Sequence, residues 1–264
     1  MKYRWIALLV AVLSCSAMRA EQAAEEKSEV DKRLIPKSID VGGKTHLYLV
    51  YEPEGYTPDK PWPLIVFLHG AGERGDDGLA PSQSGIGNAI RKNPERFPAV
   101  VLFPQCATGS DWAFHHDLLD AELEAVLADY KIDPKRIYLT GLSMGGYGTW
   151  LWGAIKVDTF AALVPICGGG DPDDIQKIVG APHANPYGSH ASRVRALATV
   201  PIWAFHGGSD SVVPTEKTRS MVEAVKAAGG NIQYTEFEGV DHNSWDPAYQ
   251  SEETIAWLLK QKKE

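Results

Sequence analysis

The chain has 264 residues, 44% of them hydrophobic, enough to bury one sizeable core and fitting a single α/β domain. Its formal charge of -8, with no Lys or Arg run away from the two ends, excludes polyanionic partners, so no nucleic acid is expected.

The first twenty residues, "MKYRWIALLVAVLSCSAMRA", set two early cations before an apolar stretch and then small residues. Such a segment is too short and wrongly flanked for a membrane span, so it predicts an export signal over 1–20. Within it, Val12-Leu13-Ser14-Cys15 resembles a bacterial lipoprotein cleavage box, which would lipidate Cys15 and tether the domain to a membrane. Cleavage after Ala17 or Ala20 is the alternative. The expected location is periplasmic, extracellular or lipid-anchored at the cell envelope. The charged stretch that follows, "EQAAEEKSEVDKR", lacks an apolar period and predicts a solvated linker over 21–35, ahead of a catalytic domain over 36–264.

From Ile39 the pattern changes, and "THLYLVYEPEGY" alternates like a half-buried antiparallel strand. Five short, nearly continuous apolar runs follow, at 64–68, 100–103, 136–140, 161–166 and 202–205, and runs without alternation suit strands covered on both faces of a parallel sheet. Helical patterns lie between them. The clearest starts at His115, with Leu118, Leu119, Leu123, Val126 and Leu127 on one face and a stop at Asp133-Pro134. A strand from Ile232 and a last helix over about 248–260 complete the series. Strands alternating with helices predict an α/β sandwich with right-handed crossovers.

One stretch departs from the alternation. Residues 171–200, rich in Pro, Gly, His and Asn, read as a lid insertion or a solvated excursion. Export would place Cys106 and Cys167 in an oxidising compartment, yet they follow strands expected to stand three spacings of about 4.8 Å apart. A disulfide spans only about 7 Å between Cα atoms, so two free, buried thiols are expected.

The stretch "TGLSMGGYGTW" surrounds one hydroxyl with glycine, between the strand ending at Thr140 and a helix expected over 147–155. A Gly-x-Ser-x-Gly turn of this kind forces Ser143 into a strained conformation at the C-terminal edge of the sheet, where bulky neighbours would clash. It also leaves Ser143 at a helix N-terminus, whose dipole and free N–H groups favour developing negative charge. Three other stretches fit a nucleophilic serine. The loop His69-Gly70-Ala71-Gly72 can aim the Ala71 N–H at a carbonyl oxygen, with the Met144 N–H as second donor, while His69 is expected to pack beneath the loop. Asp210 follows a strand in "PIWAFHGGSDSVVP", where a carboxylate can orient an imidazole. His242, in "EGVDHNSWDP", lies in the loop before the final helix, which none of the other histidines occupies. Of the rival carboxylates, Asp241 is awkwardly adjacent to His242 and Asp246 opens the last helix. His115-His116 with Asp117 lacks any further ligand pattern and reads as a helix start, so no metal is expected.

In order, "LHGAGERG", "PQCATGSDW", "GLSMGGYGTW", "PICGGGDP", "FHGGSDSVVP" and "DHNSW" resemble the carboxylesterase and dienelactone-hydrolase-like branch of the α/β-hydrolase superfamily, over Ile39 to the C-terminus. The resemblance implies an α/β-hydrolase fold with a mostly parallel central sheet and helices on both faces, and a Ser143–Asp210–His242 triad in the chain order of that fold. Two departures stand out: the nucleophile is serine where true dienelactone hydrolases use cysteine, and the insertion before Ile202 is long. The first argues against dienelactone chemistry, the second against borrowing a substrate pocket.

The expected reaction is cleavage of a carboxylic ester. His242 takes the Ser143 proton as the oxygen attacks, Ala71 and Met144 hold the oxyanion, and water then releases the acyl-enzyme, with no cofactor. Activity should fall in acid as the base protonates. Trp112, Tyr147 and Trp245 fall in or beside the expected active-site loops, where aromatic walls suit sugar or phenolic esters, such as acetyl or feruloyl groups on plant polysaccharide; the same rings can equally fill core. The partners expected are therefore small-molecule or polysaccharide-linked esters, and a membrane only through Cys15. The alternatives are a serine peptidase of the prolyl-oligopeptidase-like branch, which shares the triad order but usually carries a further gating domain, and a non-catalytic binding protein on the same fold.

Overall fold

Two consecutive glycines turn the chain at the start of the sheet. In the computed structural model, which describes residues 29–171 and 188–264, β1 (Leu34–Val41) and β2 (Lys44–Tyr51) form an antiparallel hairpin on Gly42 and Gly43, with φ of 60° and 79°. A two-residue turn with both φ positive matches the twist of the flanking strands, and glycine adopts it without strain. The five apolar runs all become strands: β3 (Trp62–Leu68), β4 (Val100–Phe103), β5 (Ile132–Leu142), β6 (Ala162–Ile166) and β7 (Ile202–Gly207), followed by β8 (Ile232–Phe237) at the edge. The order across the sheet is β1-β2-β4-β3-β5-β6-β7-β8, antiparallel at β1–β2 and β2–β4 and parallel from β4 to β8.

Central β3 explains the continuous apolar runs, since both its faces are covered. Leu64, Val66 and Leu68 enter one core with helices α2 (His116–Asp129), α3 (Met144–Ile155), α4 (His190–Leu197) and α5 (Glu216–Ala227). Ile65 and Phe67 enter the other with α1 (Ile86–Lys92), α6 (Trp245–Gln250) and α7 (Glu252–Lys260). Period-two alternation along one strand thus feeds two separate helical layers. This is the architecture expected of an α/β-hydrolase fold. Cys106 and Cys167 are free and buried.

Several boundaries differ from the sequence reading. The expected linker over 21–35 ends earlier: Val30 is buried, Asp31 pairs with Arg91 at 2.8 Å, and β1 begins at Leu34. β5 runs through Pro134, where the helix was expected to stop, and accommodates it by a register shift against β3 between Trp62 and Leu64. The last helix is two helices, broken at Ser251, whose hydroxyl accepts from the Thr254 N–H. The end of the expected insertion is regular: α4 buries Val194 and Leu197 in the core ahead of β7. Its larger part, 172–187, lies outside the described residues, as do the expected export signal with Cys15 and residues 21–28 of the linker.

Candidate active site

Ser143 links the last residue of β5 to the first of α3, with φ 54° and ψ −117°. A non-glycine residue holds such a conformation only when its surroundings fix it. The surroundings here are backbone. A Cβ on Gly145 would fall 1.8 Å from the Leu68 carbonyl oxygen, and one on Gly141 would fall 2.4 Å from the Gly145 carbonyl oxygen. Gly146 approaches the Ile166 carbonyl at 2.3 Å in the same sense. The glycines therefore let α3 start directly at Met144, three residues before the expected start, with its first turn pressed against the ends of β3 and β6. The Ser143 N–H donates to the Ile166 carbonyl at 3.0 Å and lies 3.3 Å from the Cys167 sulfur.

The Ser143 Oγ is 2.9 Å from Nε2 of His242, and Nδ1 of the same ring is 2.8 Å from Oδ2 of Asp210. A carboxylate only accepts, so Nδ1 carries the ring proton and Nε2 presents its lone pair to the serine hydroxyl. The Asp210 side chain is fully buried, and its other oxygen accepts from the Val212 and Val213 N–H groups at 2.9 and 2.8 Å. The loops after β5, β7 and β8 thus bring together the three residues expected from the sequence. The rival carboxylates face elsewhere. Asp241 accepts from the Ser211 N–H and hydroxyl and from the His242 backbone N–H, and these donors, Ser211 first, lower its pKa. Asp246 accepts from the Asn243 amide.

Ala71 opens a short 3-10 turn, Ala71–Glu73, after β3. A Cβ added to the preceding Gly70 would fall 3.7 Å from the Ser143 Cβ, so this loop runs alongside the serine. Met144 is the first residue of α3, where backbone N–H groups lack helical partners. His69 is a brace, as expected. It is fully buried, its Nδ1 lies 2.6 Å from the Gly70 carbonyl and its Nε2 accepts from the Cys106 N–H at 2.9 Å. Burial pushes its pKa down to about 4.

The aromatic wall expected from sequence is largely core. Trp112 is fully buried; its indole N–H donates to the His69 carbonyl at 2.9 Å, and its ring meets that imidazole edge-on at 4.8 Å. Tyr147 is buried as well, packed with Ala113, Leu151 and Val213. Only Trp245 among the three keeps a partly open ring, edge-on to His242 at 5.4 Å between centroids. Sequence reasoning missed His206, whose Nε2 lies 3.1 Å from Oδ2 of Asp210; its position at the end of β7, four residues before Asp210, was the available signal.

The relatives of the chain are named as ester hydrolases. A poly(3-hydroxyalkanoate) depolymerase C of Paucimonas lemoignei is 27% identical over 207 residues, covering 68% of this chain and 46% of that protein. A probable feruloyl esterase C of Aspergillus terreus is 29% identical over 131 residues, covering 46% of each. The chain thus spans less than half the length of these curated relatives. Among solved structures, a thermostable esterase superposes with a TM-score of 0.75 at 35% identity, over 89% of this chain and 64% of that one. A feruloyl esterase module from Clostridium thermocellum complexed with sinapinate shares the fold, with a TM-score of 0.65 at 18% identity over 87% of this chain and 88% of that one. Residues 103–256, more than half of the sequence and the stretch that holds Ser143, Asp210 and His242, match the Dienelactone hydrolase family, and the chain belongs to that family.

Proposed function

We propose that the protein is an exported serine esterase that cleaves carboxylic esters through an acyl-enzyme. The observation that carries the reading is the unbroken contact from Ser143 Oγ through His242 to the buried Asp210 carboxylate. In the first half-reaction His242 Nε2 takes the hydroxyl proton while Oγ bonds to the ester carbonyl carbon, whose oxygen becomes an oxyanion held by the Ala71 and Met144 N–H groups. The tetrahedral species collapses, and His242 returns the proton to the leaving alcohol. Water repeats the sequence on the acyl-serine and frees the acid. The imidazolium formed twice in each cycle is stabilised by Asp210 in a site closed to water on the carboxylate's side.

The curated relatives, an acetylxylan esterase/xylanase of Neocallimastix patriciarum among them, support esters carried on polysaccharide, acetyl or feruloyl, as substrates, with polyesters as the other polymer to test. Trp245, its ring edge-on to His242, is the aromatic residue to test against such an acyl group. The reading is tested by hydrolysis of p-nitrophenyl esters from acetate to decanoate, with xylan-linked acetate, feruloyl esters and poly(3-hydroxybutyrate) film alongside. Wild type should turn over at least the short esters, and Ser143→Ala should fall by about 10⁴-fold or more. Equal rates in the two proteins would remove Ser143 from the chemistry. Export and the fate of Cys15 are read from the mass and N-terminus of the envelope-associated protein.

A further inference from the structure

His206 takes no part in the proton path described above, yet it is fully buried directly behind it. Its Nε2 faces two acceptors, Oδ2 of Asp210 at 3.1 Å and the Val213 carbonyl at 3.0 Å, and must therefore carry a proton. On the other side of the ring Nδ1, left as an acceptor, accepts from the Thr218 hydroxyl at 2.7 Å, and the same hydroxyl oxygen lies 2.6 Å from the Gly168 carbonyl. Gly168 follows Cys167, whose sulfur faces the Ser143 N–H. The contacts thus close into a ring: Ser143, His242, Asp210, His206, Thr218, and back through the turn after β6 to Ser143.

We infer that His206 is a positioning residue for the relay, fixing the Asp210 oxygen that His242 uses and limiting how strongly that oxygen pulls on the His242 ring. One carboxylate oxygen accepts from both imidazoles, so each donor weakens the basicity left for the other. The charged and titratable groups around the pair belong to the same neighbourhood: His242 and Asp241 on the loop after β8, Glu236 on β8 paired with Arg219 of α5, and the Cys167 thiol after β6, which burial holds protonated. Burial lowers the pKa of the His206 ring against the opposing pulls of the Val213 carbonyl and Asp210, which favours the neutral ring. Its single proton therefore stays on Nε2, between Asp210 and Val213.

The inference rests on the esterase reading, and the test separates the two. The full chain and its His206→Leu and His206→Gln variants are assayed for kcat and KM on p-nitrophenyl acetate across pH. Loss of the N–H in His206→Leu should lower kcat about tenfold with KM within about twofold. It should also move the acid limb of the profile up by about half a pH unit or more, because a carboxylate with one donor fewer holds the imidazolium more tightly. The Gln amide, donating from near the place of Nε2, should restore the limb. Should His206→Leu not fold, Thr218→Val, which removes the hydroxyl seating the other side of the ring, should shift the limb in the same direction. A folded variant with an unmoved limb, whatever its kcat, overturns the inference and leaves the esterase intact. If wild type itself shows no turnover, the downfield Nδ1 proton of His242 in isotope-labelled protein decides: the inference requires it to move in His206→Leu, and an unchanged resonance overturns it.

Discussion

The strained φ of Ser143 is bought by the smallness of its neighbours, and the energetics sit in backbone contacts that no side-chain motion can relieve. At Gly145 an added methyl would overlap the Leu68 carbonyl, so either β3 or the first turn of α3 must move. Gly145→Ala should therefore cost about 3 kcal/mol of stability. It should also displace Oγ from Nε2 enough to lower kcat about 10²-fold, as misplacements near 1 Å do. Thermal unfolding and ester turnover check both, and an alanine variant with the wild-type Tm would mean that this contact can relax. The position of Ser143 was legible in the sequence because glycine spacing reports clearance directly. The depth of Trp112 and Tyr147 was not: an aromatic residue in an active-site loop has the same letter whether it lines a cleft or, as here, seals the core beneath it.

Elements were legible where burial on both faces removes ambiguity. The runs that became β3, β4, β6 and β7 have no polar face to blur them. β1 escaped because Lys37, Ser38 and Asp40 interrupt its apolar positions and it continues a charged stretch; the Gly42-Gly43 pair between two alternating runs was the signal for its hairpin. Helix α2 carries a feature that amphipathic patterning alone misreads. Glu122 is fully buried on its sheet-facing side, and among the described residues neither carboxyl oxygen has a hydrogen-bond partner. Burial raises its pKa well above the usual 4.5, and its charge in turn helps raise neighbouring Tyr48 on β2, itself mainly desolvated, to about 12. An acid that binds its proton more tightly in the folded state loses stability for that state as pH rises above the unfolded value. Wild type should therefore weaken from pH 5 towards pH 8. Glu122→Gln, which keeps the shape and the unmet polar cost but cannot ionise, should gain relative to it, with the Tm gap widening by about 3 °C or more. Parallel Tm curves for the two proteins across that range would show that the carboxyl finds water or a partner.

At the scale of the whole molecule, the strand order decides the redox behaviour of the two core thiols. Cys106 follows β4 and Cys167 follows β6, and β3 and β5 stand between those strands. Three spacings put the strand ends about 14 Å apart, twice the reach of a disulfide between Cα atoms. The local contacts point the same way. The Cys106 thiol donates to the Ala107 carbonyl at 3.7 Å, while Cys167 faces the Ser143 N–H. Burial raises both pKa values to about 12, which leaves almost no thiolate to attack an oxidant. An exported protein would meet an oxidising compartment with these two groups unchanged. Treated with iodoacetamide under native, non-reducing conditions, neither Cys106 nor Cys167 should be alkylated; in guanidinium without reductant both should be alkylated completely. Peptide mass spectrometry reads the two sites separately from Cys15. Recovery of a Cys106–Cys167 linked peptide from folded protein would contradict the strand order itself, since no repacking of side chains bridges two intervening strands.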